Sequence, residues 1–422
     1  MSGVTGPRHN SDVRPKSRTA LRRRPVYLPG LHADEGERQR QRGARPTEVA
    51  DLLAQAERNA RQAPRKHHLV AGSYLARWEV AGKIRVTETS SRHTYAQAAS
   101  QAARETDFYR IESPDIDPVE VPPLLFETLL SRIEGEASQA IDYLVRNGEP
   151  GLSGDDRVWL SAYLAFQITR GRAFRAEQDA AADMLFKLTT QATEASARHM
   201  LEVADIEPTP EAIATTLDML ENLQAGRLVV REQTAAIIGR GAELAEFLTP
   251  QLLYRRWLVY WASHVPFVTC DEPVVILEGP DADRRRRGGV GTADVVVFPL
   301  SPEAVLAMFH PDDDPDDVAL YPQLDSRETA DLNLEIAANS HRWLFERSDR
   351  TATLGMSLPP LPPATAQEGP LELVGEPNAR LFNQYRPSRW YWSKEPPQLP
   401  VFRWWNQTTV LGQVGRRLLP DW

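Results

Sequence analysis

An α+β fold follows from three features of this 422-residue sequence. Apolar residues recur at helical spacing through much of the first half: Leu124, Leu125, Leu129, Ile133 and Ile141, then Val158, Tyr163, Phe166 and Ile168. From Tyr254 to Phe309 the pattern changes to short β-type runs at 258–261, 267–269, 274–277, 293–300 and 304–309. Helical and strand patterns are segregated along the chain and do not alternate. That order predicts a helix-rich N-terminal half with an antiparallel or mixed β cluster in the C-terminal half.

Residues 1–46 hold ten Arg and one Lys against four acids, a net +7, with few large apolar side chains. They read as a disordered basic tail. The rest of the chain then carries −9 − 7 = −16, and so acidic a body argues against an extended duplex-DNA footprint. A helix is expected over 48–63, with Leu52, Leu53 and Ala56 on one face and Pro64 stopping it. The segment from Lys66 to Trp78 leads into a strand at 83–87. Residues 176–247 continue as helix, broken at Pro208 and Pro210. A helix at 327–339 and a strand at 343–347 close a domain expected over 47–350.

Beyond it, residues 351–370 read as a proline-rich linker and 371–422 as an arm with five of the ten tryptophans, Trp390, Trp392, Trp404, Trp405 and Trp422. Arginines interleave with these rings, as in single-strand binders, but so much exposed aromatic surface is better used in docking on the main domain. A single cysteine excludes an intrachain disulfide and any cysteine-rich zinc site. Hydrophobic content of 41% is that of a soluble protein, no stretch reaches membrane-spanning length, and the N-terminus lacks an apolar signal core, so a cytoplasmic protein is expected.

Candidate chemistry concentrates in few places. In Pro266-Phe267-Val268-Thr269-Cys270-Asp271-Glu272-Pro273-Val274, two strand-like runs flank an acidic turn. Carboxylates at a strand end can ligate a divalent cation or act as general base; equally, Asp271 can satisfy backbone donors in the turn. His67 and His68 are adjacent, so at most one serves a given site, as metal ligand or proton carrier; the plainer use is a helix-start histidine bonded to backbone. Gln167 and Arg170 share a helical face. An arginine on so apolar a helix needs either a buried carboxylate or a ligand phosphate. Glu127 and Glu134, seven apart on one stripe, are plausible carboxylate partners. Arg284-Arg285-Arg286-Arg287 and the acidic run 312–317 read as solvated loops.

These segments, taken in order, resemble the bacterial family of unknown function DUF4238. The resemblance rests on Lys66-His67-His68 with Tyr74-Leu75, Asp107-Phe108-Tyr109, Glu134, Gln167, Arg170, Trp257 and the 267–274 motif. It continues through Phe298-Pro299-Leu300-Ser301-Pro302, Asn333 and Arg342, spanning about residues 66–347. The chain departs from the family pattern at Leu69-Val70-Ala71, where Tyr-Val-Pro is usual, and at Cys270-Asp271-Glu272, where Ser-Asp-Asn is favoured. The family carries no known reaction, so the resemblance implies site candidates only. Its polar positions suit a hydrolase or transferase acting on a phosphate-containing substrate, nucleic acid included, with or without a divalent cation. In that reading His67 or His68 carries a proton or ligates, Asp271 is base or metal ligand, Arg170 clamps phosphate, and Glu134, Gln167 and Asn333 support them. The alternative is a non-catalytic ligand-binding or protein-interaction module with the same groups in a buried hydrogen-bond network.

Overall fold

The computed structural model describes residues 51–59, 66–113, 116–280, 289–311, 323–361, 365–373, 376–385 and 389–402, with Ala282, Arg284 and Trp404. The basic stretch 1–46, Arg285 to Arg287, the acidic run 312–317, and Trp405 and Trp422 lie outside the described residues.

In chain order the elements begin with α1 (51–59), β1 (Lys66–His68), α2 (Gly72–Leu75), β2 (Ile84–Glu88), β3 (Thr94–Gln97) and β4 (Arg104–Thr106). Six helices follow: α3 (Leu125–Asn147), α4 (Gly154–Thr169), α5 (Arg172–Thr189), α6 (Glu194–Val203), α7 (Pro210–Gln224) and α8 (Thr234–Leu253). Their starts are written locally. Ser153, Thr193 and Thr209 each accept a backbone N–H from the first turn of α4, α6 and α7, and Pro210 occupies the first turn of α7, where no donor is needed.

The second half supplies β5 (Arg256–Ala262), β6 (Thr269–Cys270), β7 (Val275–Leu277), β8 (Val295–Pro299), β9 (Ala304–Phe309) and β10 (Gln323–Leu324). Next come α9 (Ser326–Asn339), β11 (Trp343–Arg347), α10 (Ala352–Gly355) and the hairpin strands β12 (Thr365–Leu373) and β13 (Glu376–Tyr385). Asp325 and Glu328 form a reciprocal capping box at the start of α9.

Five strands pair in the order β10-β5-β9-β8-β7, with only β10–β5 parallel, so this sheet is mixed. A second, four-stranded sheet has the order β3-β2-β11-β6 and takes two strands from the N-terminal half. The chain between β6 and β7 is therefore not a hairpin. It carries the backbone from one sheet to the other, because β6 pairs with β11 and β7 with β8.

Every residue of β8 and β9 is buried, which explains their uninterrupted apolar runs. Val296, Phe298, Leu306 and Met308 face a core built with Leu130, Ile133 and Ile141 of α3, Leu160 and Leu164 of α4, and Leu248 and Leu252 of α8. The alternate residues Val295, Val297, Val305, Ala307 and Phe309 face a second core with Leu332 and Ile336 of α9. The sheet thus has helices on both faces. A small separate cluster (Leu201, Ile213, Leu220, Leu223) holds α6 against α7.

Two charged residues have a place that the sequence did not suggest. Arg284, read as loop, makes a two-pronged ion pair with Glu335 of α9, at 2.6 and 3.2 Å, and both side chains are nearly buried. Arg389 is buried and donates to the carbonyls of Ser340, His341 and Pro359.

The C-terminal residues that are described dock on the second core. Trp404 is 2% exposed, with ring centres 4.3 Å from Phe402, 4.9 Å from Tyr260 and 5.9 Å from Phe309. Trp404→Ala should therefore cost about 3–5 kcal/mol, the usual range for emptying a buried aromatic site. A urea unfolding curve measures it; an unchanged midpoint would mean that this segment adds nothing to the core.

Candidate functional site

Strands β1 and β4 are three residues each, and their register decides what comes together. Lys66 lies opposite Thr106, His67 opposite Glu105, and His68 opposite Arg104. Side chains alternate across a strand, so His68 and Arg104 share one face and His67 and Glu105 the other.

The His67 face is structural. His67 lies in a strand, not at a helix start, and is fully buried. Its Nδ1 accepts the Tyr109 backbone N–H at 2.7 Å, and the two rings stack nearly parallel. Beside it, Glu105 accepts from Arg172 at the start of α5.

On the other face, His68 Nε2 lies 3.1 Å from the Ser100 carbonyl oxygen. A carbonyl only accepts, so Nε2 bears the proton and the neutral ring keeps its lone pair on Nδ1. Burial lowers the His68 pKa. The Ser100 bond opposes this, Arg104 and Arg170 reinforce it, and Glu134 opposes. The lowered pKa favours the neutral form of His68.

Arg170 caps the C-terminus of α4 with its side chain only 1% exposed. Its Nη1 donates to Glu134 Oε1 at 2.6 Å. Gln167, with its amide oxygen turned to the surrounding donors, accepts from Arg170 Nε at 3.2 Å, from Arg170 Nη2, and from Tyr163 Oη at 3.1 Å. The Arg170 carbonyl accepts the Tyr109 hydroxyl at 3.1 Å. Burial is the largest single influence and works against the guanidinium charge, but Glu134, Tyr109 and Tyr163 together outweigh it and the pKa of Arg170 lies above its ordinary value. Of the two partners an arginine here required, the structure supplies the carboxylate.

Glu127 stands two turns before Glu134 on α3. Burial first, and then the Glu134 charge, raise its pKa from 4.5 to about 7, while Arg170 and Arg104 pull the other way. One carboxyl of the pair can thus exchange a proton near neutrality while the other is held by Arg170. The sequence placed both glutamates on one stripe but weighed Glu127 only as an ion-pair partner. Arg104 was not singled out, because nothing short of the β1–β4 register brings it to His68.

The acidic turn does something else. Asp271 is buried, and its two carboxylate oxygens accept the backbone N–H groups of His341 (2.8 Å) and Arg342 (2.7 Å), fixing the loop before β11. Glu272 accepts the Ala173 N–H in the first turn of α5, where the helix dipole favours a carboxylate. A Cβ at Gly171 would meet the Glu272 carboxylate, so any side chain there would displace that carboxylate. Asn333 bridges the strand entry, accepting from Val268 N (3.0 Å) and donating to the Pro266 carbonyl (2.9 Å). Cys270 is buried. Of the residues expected at one site, the structure brings together His68, Glu134, Gln167 and Arg170, puts His67 behind them, and places Asp271 and Asn333 in backbone-anchoring roles. Among the described residues, no group of three or more His, Cys, Asp or Glu side chains could hold a metal ion.

Two measurements check this electrostatic arrangement. Arg170→Ala should cost about 3–5 kcal/mol by stranding the Glu134 carboxylate, and adding Glu134→Gln should recover part of the loss. Glu127 has the opposite sign. Its native pKa is raised, so the native state binds the extra proton and stability falls as pH rises from 4.5 to about 7. Glu127→Gln should match the wild type in acid and exceed it above neutrality, by an amount on the order of 3 kcal/mol. Melting midpoints across pH decide this; parallel wild-type and variant curves would refute a raised Glu127 pKa.

Neither a curated protein nor a solved structure matches the chain. A family model does, over residues 66–350, which takes in the β1–β4 ladder, both glutamates, the α4–α5 junction and the acidic turn. The chain belongs to the family described as Protein of unknown function (DUF4238).

Proposed function

We propose that the protein is an enzyme that hydrolyses or transfers a group on a phosphate-containing substrate, by general acid–base chemistry at the His68–Glu127–Glu134 cluster. The observation that carries this reading is the glutamate pair. Glu127 titrates at about 7 beside Glu134, which Arg170 holds at 2.6 Å. A carboxyl that keeps its proton up to neutrality beside a second, arginine-bound one is the pattern of an acid–base pair. Glu127 is the group that gives and takes the proton. His68, neutral and with its lone pair on Nδ1, is a second acceptor. Arg170 and Gln167 fix Glu134 in place, and an anionic substrate suits the guanidinium charge of Arg104, which remains once Arg170 and Glu134 offset each other. Asp271 and Asn333 act by holding the backbone around the site.

The engagement of His67, Asp271 and Asn333 with backbone groups favours a second reading, a non-catalytic ligand-binding module. The test separates the two. Phosphate monoesters, phosphate diesters, nucleotides and single-stranded oligonucleotides are assayed with and without divalent cations. Turnover should show a limb near neutral pH, and Glu127→Gln should lower it by about 10²–10⁴-fold, the usual yield of a positioned acid or base. A protein that turns over none of these, or a fully active Glu127→Gln, leaves the binding module as the reading.

A further inference from the structure

The arginines around the cluster differ in one respect. Arg170 has Glu134, Arg172 has Glu105, and Arg77 has Asp142 at 2.6 Å; Arg175 donates to the Phe108 carbonyl at 2.5 Å. Arg104 has nothing comparable. Its Nη1 lies 3.4 Å from Gln101 Oε1 and its Nη2 3.4 Å from the Lys66 carbonyl, both at the long limit of a hydrogen bond, and its Nε is buried with no hydrogen-bond partner. Among the described residues it forms no ion pair. The residue lies directly across the ladder from His68, and its charge is within electrostatic reach of Glu127.

The charges that face this spot can be counted. Glu134 on α3 and Arg170 at the end of α4 cancel each other. Tyr109, from the loop after β4, is buried with its pKa far above the ordinary range, first through burial, and is uncharged. His68 is neutral. With Glu127 protonated, Arg104 leaves one uncompensated positive charge beside a neutral base. With Glu127 ionised, that charge has an internal partner.

We propose that Arg104 is the anion contact of this site: a phosphoryl or similar oxyanion group binds against its Nη1/Nη2 edge beside His68, in competition with the ionised Glu127 carboxylate. The guanidinium fork matches two oxygens of such a group, which a lysine would not. Binding an anion and holding a proton on Glu127 then favour each other, so the site takes up its ligand best in the protonation state in which Glu127 can act as an acid. This assignment rests on the acid–base reading above for its role in turnover but not for the binding itself.

Sulfate is the probe, because its charge does not change across the relevant pH range. Calorimetric titration of the full chain should show sulfate binding that weakens as pH rises through about 7. Arg104→Gln should lower the affinity at least about tenfold and Arg104→Lys by less, because a point charge replaces the fork. Glu127→Gln should bind sulfate as tightly above neutrality as the wild type does below it, and should do so even though its turnover is lost. Circular dichroism and melting midpoints confirm that each variant is folded; if Arg104→Gln is not, Arg104→Lys carries the comparison. Unchanged affinity in the Arg104 variants, a wild-type affinity that is flat with pH, or no sulfate binding by the wild type overturns the assignment. Loss of turnover in Glu127→Gln with sulfate binding intact keeps the anion site separate from the acid–base reading; loss of turnover together with loss of sulfate binding would overturn this proposal alone.

Discussion

The junction between α4 and α5 is the constraint on which the rest of the structure turns. In three residues, Arg170-Gly171-Arg172, the chain must satisfy one buried guanidinium, admit a carboxylate against its backbone, and send a second arginine to a strand. Arg170 ties α4 to α3 through Glu134 and, through its carbonyl, to Tyr109 beyond β4. Gly171 leaves the space that Glu272 fills from the inter-sheet turn. Arg172 reaches Glu105 on β4 and lies over the Trp343 ring, 5.9 Å from its centre. A buried charge without a partner would cost several kcal/mol, so these bonds are required of the fold and are not optional ornament. They also fix the height of α3 against the β1–β4 ladder, which sets where Glu127 and His68 stand.

The inter-sheet turn shows why a conspicuous polar cluster need not be a reacting one. The chain leaves one sheet at Cys270 and enters another at Val275, so its backbone groups lose strand partners in a fully buried place. Buried amides and carbonyls must be bonded; Asn339 serves the turn itself, while Asp271 serves the loop before β11 and Asn333 the segment before β6. Asn339 donates to the Glu272 carbonyl at 2.5 Å and to the Val274 carbonyl at 3.0 Å. Carboxylate and amide side chains suit this task for the reason they suit catalysis: short reach and two oxygens. Residue type and location alone could not separate the two uses. The hydrogen-bond partners do.

What was legible in the sequence was whatever depends on local pattern. The runs at β8 and β9 are apolar throughout because both faces are covered, and the closing strand at 343–347 coincides with the expected one. The helix at α9 starts within one residue of its expected position because Asp325 and Glu328 announce it. The strands β1 and β4 left almost no local trace, since three residues are too few for a period. Arg104 and His68 are 36 positions apart in sequence, and only a ladder register makes them neighbours. Glu127 illustrates the same limit in electrostatics. Its spacing from Glu134 could be read directly, whereas its raised pKa comes first from burial and then from the Glu134 charge, against the opposing pull of Arg170 and Arg104.

The difference between Arg170 and Arg104 follows from depth. At 1% side-chain exposure, Arg170 cannot exchange its protein partners for a ligand without opening the core, and desolvation makes each of its bonds strong. Arg104 is only partly buried on a two-stranded ladder, and its neighbours at 3.4 Å hold it weakly. A site built from one of each has a fixed charge that positions Glu134 and an adjustable one that can meet a substrate. Glu127 feels both charges, Arg170 before Arg104. A cluster of this kind can keep a rigid frame while its net charge changes by one, which is what reversible proton transfer to a bound anion demands.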